Sequence, residues 1–200
     1  MRDAGLMKLF SAIAAGDAAA VQLIDESVAL ATARVATSAE CFLDAIRHQV
    51  YAGDTALHVA AAAHRRDVAQ ALIACGASVT AVNRRGATAL HYAADGSPGS
   101  LRFDPAAQAD MIALLIAAGA DPNAATMDGV TPLHRAVRTR SAGAVRALLD
   151  GGADPTRRTR RGTTPHEMAG RATGRSGAGS PAAKAGQAEI LRLFQGLGAA

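Results

Sequence analysis

An all-α solenoid of stacked helix-turn-helix units, joined by short β-hairpin-like loops, is the fold this chain predicts, and three observations predict it. Thr55-Ala56-Leu57-His58 returns as Thr88-Ala89-Leu90-His91, as Thr131-Pro132-Leu133-His134 and, more loosely, as Thr164-Pro165-His166-Glu167. A glycine stands two positions before each copy, and the step from Gly53 to Gly86 equals that from Gly129 to Gly162, while the step from Gly86 to Gly129 is longer. A fixed period with one insertion marks structural repeats that stack on their neighbours. Composition agrees: the chain is 50% hydrophobic but 3% aromatic and has no tryptophan, so Ala, Leu, Val and Ile must build a core of closely stacked helices.

The elements follow in order along one domain, residues 4–200. Residues 4–36 form a degenerate N-terminal cap, with a helix through Ala15, a turn at Gly16-Asp17 and a second helix carrying Val21, Leu23 and Ile24. Residues 37–51 read as an extra helix. Phe42, Ala45, Ile46, Gln49 and Val50 share one face at about 100° per residue, and Glu40, Asp44, Arg47, His48 and Tyr51 share the other. Repeats then span 52–84, 85–127 with an insertion near 96–107, and 128–160. A C-terminal capping repeat covers 161–199, with an insertion near 171–186. Both insertions carry Gly-Ser-Pro, followed by Gln108-Ala109-Asp110 or Gln187-Ala188-Glu189 ahead of the second helix.

Within a repeat, Thr55, Thr88, Thr131 and Thr164 stand where a hydroxyl can cap a helix start, and Pro132 and Pro165 follow where a missing N–H is harmless. Leu57, Leu90 and Leu133 point inward, while Ala60, Ala93, Ala136 and Ala169 keep the first helix thin. The second helix carries Val68, Leu72 and Ile73, then Ile112, Leu114 and Leu115, then Val145, Leu148 and Leu149, then Ile190, Leu191, Leu193 and Phe194. Gly76, Gly119, Gly152 and Gly198 stop these helices.

The period, the G-x-T-P-L-H signature and the G-A-D-P-N endings resemble the ankyrin repeat over residues 4–199, and among such proteins the chain is most similar to compact bacterial members. The resemblance implies protein binding on a concave surface made of hairpin tips and exposed first-helix residues. It also implies that His58, His91 and His134 bond to the backbone of a neighbouring turn. His166 and Glu167 depart from the pattern in the last repeat, where a more polar terminal unit facing water is expected.

Chemistry is not signalled elsewhere. Cys41 and Cys75 form no C-x-x-C and read as reduced, half-buried thiols. The apolar stretch around Leu6, Leu9, Phe10 and Ile13 is broken by Lys8 and falls short of a membrane span, so a cytoplasmic protein without membrane contact is expected. There is no nucleophile elbow, catalytic-cysteine motif or phosphate loop; the reading is non-enzymatic, with no cofactor and no metal. Glu40, Asp44 and His48, at i, i+4 and i+8 of the extra helix, offer a metal-dependent activity as a second alternative, though three ligands over two turns rarely share an ion and a solvated helix face explains them better.

Charge is the remaining signal. Of the net +4, residues 101–200 contribute +5 and residues 1–100 contribute −1. On the surface the resemblance designates as concave lie Arg84, Arg85, Tyr92, Arg135, Arg138, Arg157, Arg158, Arg160 and Arg161. Guanidinium forks pair bidentately with carboxylates, so the expected partner of this monomer is a protein with an acidic segment. Nucleic-acid backbone binding through the same face is the alternative, favoured by a pI of 9.7 and disfavoured by the lack of aromatics for base stacking.

Overall fold

The computed structural model describes residues 2–36, 39–96, 103–171 and 181–197. Its elements are α1 (Arg2–Ala15), α2 (Ala19–Glu26), α3 (Ala29–Thr32), β1 (Cys41–Leu43), β2 (His48–Val50), α4 (Ala56–Ala62) and α5 (Arg66–Ala74). They continue through α6 (Ala89–Ala94), α7 (Pro105–Ala117), α8 (Pro132–Thr139), α9 (Ala142–Asp150), α10 (Pro165–Ala169) and α11 (Pro181–Leu197). The helices stack in two layers. First helices α1, α4, α6, α8 and α10 follow one another in one layer, and second helices α2, α5, α7, α9 and α11 in the other.

Small residues make the inner layer possible. Every residue of α6, Ala-Leu-His-Tyr-Ala-Ala, is buried, as are residues 56–61 of α4, because a helix surrounded by other helices must be thin and apolar on all sides. In the outer layer Val68, Leu72, Ile112, Leu115, Val145, Leu148, Ile190 and Phe194 are buried, and Ile73, Leu114, Leu149, Leu191 and Leu193 close over them. Gly76, Gly119 and Gly152 take positive φ at the second-helix ends; Gly198 lies outside the described residues. Both cysteines are free and half-buried.

The loops between repeats form fingers that bond to one another through their backbones. Arg84 N–H donates to Ala52 O at 2.8 Å, Met127 N–H to Arg85 O at 3.0 Å, and Arg160 N–H to Asp128 O at 2.9 Å. Such close approach needs glycine. A Cβ on Gly53, Gly86 or Gly129, all at positive φ, would meet the next finger's backbone at 3.0–3.1 Å, whereas Gly162, on the last finger, would meet nothing.

The extra helix expected at 37–51 is not there. Residues 41–50 form an antiparallel hairpin with Cys41 opposite Val50, Phe42 opposite Gln49 and Leu43 opposite His48. Alternation replaces the helical stripe. Leu43 and Val50 are buried, while Phe42, placed on the buried helix face by the sequence, is 50% exposed. Extended backbone on both sides holds the hairpin, since Val35 N–H donates to Asp54 O and Gly53 N–H to Val35 O. The insertion therefore lengthens the first finger instead of adding a helix. Asn-Gly or Asp-Gly is missing from its turn. Arg47 takes the left-handed conformation there, with φ of 50°.

The two later insertions have described and undescribed parts. Residues 97–102 and 172–180, which include Ser97-Pro98 and Gly179-Ser180 of the two Gly-Ser-Pro segments, lie outside the described residues. Gln108 and Gln187 do not precede the second helices, as expected, but lie within α7 and α11. Their role follows from what an insertion removes. In uninterrupted repeats the Ala60 and Ala136 carbonyls accept from the tight-turn N–H groups of Arg65 and Ser141. Where the turn is enlarged, side-chain amides take over: Gln108 Nε2 donates to Ala93 O and Gln187 Nε2 to Ala169 O, each at 2.9 Å. Gln108 is fully buried and also accepts from Ser141 Oγ at 2.6 Å. Gln108→Ala leaves the Ser141 hydroxyl without its acceptor and Ala93 O with only His64 Nε2, at 3.1 Å, and is expected to destabilise the protein by about 1–3 kcal/mol, read by urea unfolding, and a loss below about 0.5 kcal/mol would contradict this role.

Candidate functional site

At each finger base the repeat signature builds the same device. The Thr55, Thr88 and Thr131 N–H groups donate to Nδ1 of His58, His91 and His134 at 3.1–3.2 Å. With Nδ1 accepting, the ring proton sits on Nε2, which donates to the carbonyl of Ala87, Val130 or Thr163 in the next repeat. Each histidine thus caps its own helix and ties it to the following finger. Burial holds all three imidazoles below their ordinary pKa. That of His91 is lowered to about 3, with the nearby Arg135 charge adding to desolvation. Glu167 occupies the same place in the last repeat. Its carboxylate accepts from Thr164 N–H at 3.1 Å, completing the same cap on its own helix.

The lengthened first finger folds over the open side of the stack. Its His48 ring lies 4.3 Å from that of Tyr92 on α6, Glu40 receives a forked bond from Arg84, and the guanidiniums of Arg84 and Arg85 stand over the Tyr51 ring at 5.3 and 5.1 Å. The Arg84 guanidinium holds the Glu40 carboxyl below its usual range. Beneath lies a buried polar knot centred on Asp54. It accepts from Tyr51 N–H at 2.7 Å, Asn83 Nδ2 at 2.9 Å and the Tyr92 hydroxyl at 2.7 Å. Burial, with the Asp54 charge beside it, pushes the Tyr92 phenol well up.

Between this finger, α6, the 126–130 turn and α8 lies a cleft of about 270 Å³, with His48, Asn83, Arg135 and Arg138 in its lining. Arg135 and Arg138 both hold Asp95, at 2.7 and 2.8 Å.

The residues expected to bind a partner therefore divide. Tyr92 is corrected outright: it is 1% exposed, its hydroxyl bonded to Asp54 and Asn83, so it offers a partner no ring. Arg84, Arg135 and Arg138 are paired with carboxylates of this chain, Arg85 bonds the Tyr51 hydroxyl, and Arg158 bonds Gly162 O and Glu167. Arg157, Arg160 and Arg161 are exposed at the last finger, and among the described residues their guanidiniums enter no hydrogen bond or ion pair. The metal stripe is corrected too. With residues 41–50 in a hairpin, Glu40 binds Ala52 N–H and Arg84, Asp44 sits at the exposed turn and His48 packs on Tyr92, so the three do not converge. Sequence reasoning missed Asp54 and Asn83; the only signal was a polar residue beside Gly53 and another at the start of a finger.

Comparison with known families gives three matches: ankyrin repeats in three copies over residues 9–103, a single ankyrin repeat over 85–127, and ankyrin repeats in many copies over 110–169. No curated protein matches the chain. Ankyrin repeats are in general protein–protein interaction modules and typically non-catalytic. Among the described residues no helix is long and apolar enough to cross a membrane.

Proposed function

The chain belongs to the ankyrin-repeat family, and on that premise we propose that it is a non-catalytic module that captures an acidic segment of another protein on the open side of its fingers. The last finger makes first contact. One observation carries this reading: Arg157, Arg160 and Arg161 project from a single exposed turn with their guanidinium donors unspent among the described residues, whereas the other groove arginines are engaged at home. An unpaired guanidinium meets a carboxylate without first breaking an internal bond, so these three dominate the encounter and the specificity.

Capture from native lysate by wild type and by the Arg157→Glu/Arg160→Glu/Arg161→Glu variant, with and without nuclease, tests the proposal. A protein retained by wild type after nuclease and lost by the variant is expected. Capture that disappears with nuclease would put nucleic acid in its place, and identical capture by both proteins would remove the basic finger from the account.

A further inference from the structure

His48 Nε2 is the one buried side-chain polar atom without a hydrogen-bond partner among the described residues, and it belongs to the wall of the cleft under the first finger. Leaving such a group unsatisfied is costly, so a position that keeps one in a polar recess calls for something that satisfies it. We propose that this cleft seats a carboxylate side chain of the acidic segment, held between Arg85, Arg138 and the His48 Nε2–H. The inference rests on the reading of the basic face given above and adds to it a second, shaped contact point that begins at the finger next to the exposed last one.

The lining, the free donors and the size of the cleft select a carboxylate from a protein, together with His48. Its lining carries three guanidiniums against the carboxylates of Asp95 and Asp128, with Asp95 already paired to Arg135 and Arg138 and the buried Asp54 carboxylate lying behind Asn83 and Tyr92. Arg85 spends one donor on the Tyr51 hydroxyl and Arg138 one on Asp95, so most N–H groups of each fork are still available. The cleft encloses about 270 Å³. That is below the usual range of small-molecule sites, and it suits one side chain better than a cofactor. Burial keeps the His48 imidazole neutral, and with its proton on Nε2, as the proposal requires, the ring donates to an acceptor-only group.

The test uses the full chain, isotope-labelled, titrated with decaglutamate and separately with decaglutamine while the histidine ring resonances are followed. Decaglutamate is expected to move the His48 ring signals saturably and decaglutamine to leave them in place. His48→Phe, which keeps a ring against Tyr92 but removes Nε2, is expected to weaken decaglutamate binding about fivefold to tenfold, and Arg85→Gln/Arg138→Gln by tenfold or more. If decaglutamate shifts the backbone signals of the last finger but not the His48 ring, the cleft is overturned while the acidic-segment reading stands. If nothing shifts anywhere, both fall. An unchanged affinity in His48→Phe with its fold intact also overturns the cleft.

Discussion

Replacing Asp54 by alanine is expected to destabilise the protein by about 3–5 kcal/mol, the largest single effect outside the apolar core. The carboxylate is fully buried and collects three hydrogen bonds, from the Tyr51 backbone, the Asn83 amide and the Tyr92 hydroxyl. Removing it leaves each of those donors in a dry interior with about 1–3 kcal/mol of desolvation unrecovered, while release from burying a charge returns part of the loss. Tyr92→Phe removes the hydroxyl's bonds to Asp54 and Asn83 but leaves the carboxylate its other two donors, and is expected to cost about 1–3 kcal/mol. Because the two residues share a network, the double variant should be less destabilised than the sum of the singles. Urea unfolding of the four proteins measures all of these effects; an Asp54→Ala loss below about 1 kcal/mol would show that the knot does not hold the first finger to the second.

Acidification should have a comparable effect through the histidines. His91 is lowered to about 3 in the folded state, by burial first and then by the Arg135 charge, against an ordinary value of 6.5. As pH falls below about 6.5 the unfolded chain takes up a proton that the folded protein refuses, so stability declines by about 1.4 kcal/mol per pH unit until the folded group titrates. From this residue alone the loss is about 2 kcal/mol by pH 5 and about 4–5 kcal/mol by pH 3. His48, His58, His64 and His134 are lowered in the same direction by burial and add to it. The carboxylates held low by their partners, Glu40, Asp67, Asp154 and Glu167, start from ordinary values of 3.8–4.5 and contribute only below that range. Loss between pH 6.5 and 5 therefore belongs to the imidazoles. The urea midpoint should fall steadily over that interval, less steeply in His91→Gln, and a midpoint constant from pH 7.5 to 5 would contradict the buried neutral imidazoles.

Much of the repeat was legible because each of its elements is a local rule. Threonine before the helix, proline at its first position and glycine after the second helix act within a few residues, and the structure places Thr131, Pro132 and Gly152 in those roles. The histidine bonds to the neighbouring turn came from family resemblance and are present at all three positions. What local rules could not show is pairing between distant segments. Residues 40–51 satisfy a helical stripe as well as a two-residue alternation, and what decides between them is tertiary. Leu43 and Val50 reach the core only as a hairpin, and Glu40 finds Arg84, 44 residues on. The same blindness affected the basic face. Arg135 and Arg138 looked available because Asp95, 40 and 43 residues earlier, is on another helix's end. Tyr92 looked exposed because a tyrosine can sit at a surface, and only the buried Asp54 explains why it does not.

Binding of fluorescein-labelled decaglutamate to wild type and to the Arg157→Glu/Arg160→Glu/Arg161→Glu variant, followed by anisotropy at one salt concentration, tests the central claim most directly. The variant should bind at least tenfold more weakly, equivalent to about 1.4 kcal/mol or more. Arg84→Gln, whose charge is already met by Glu40, should change affinity less than twofold. Equal affinities for wild type and the triple variant would contradict the assignment of recognition to the last finger's unpaired arginines.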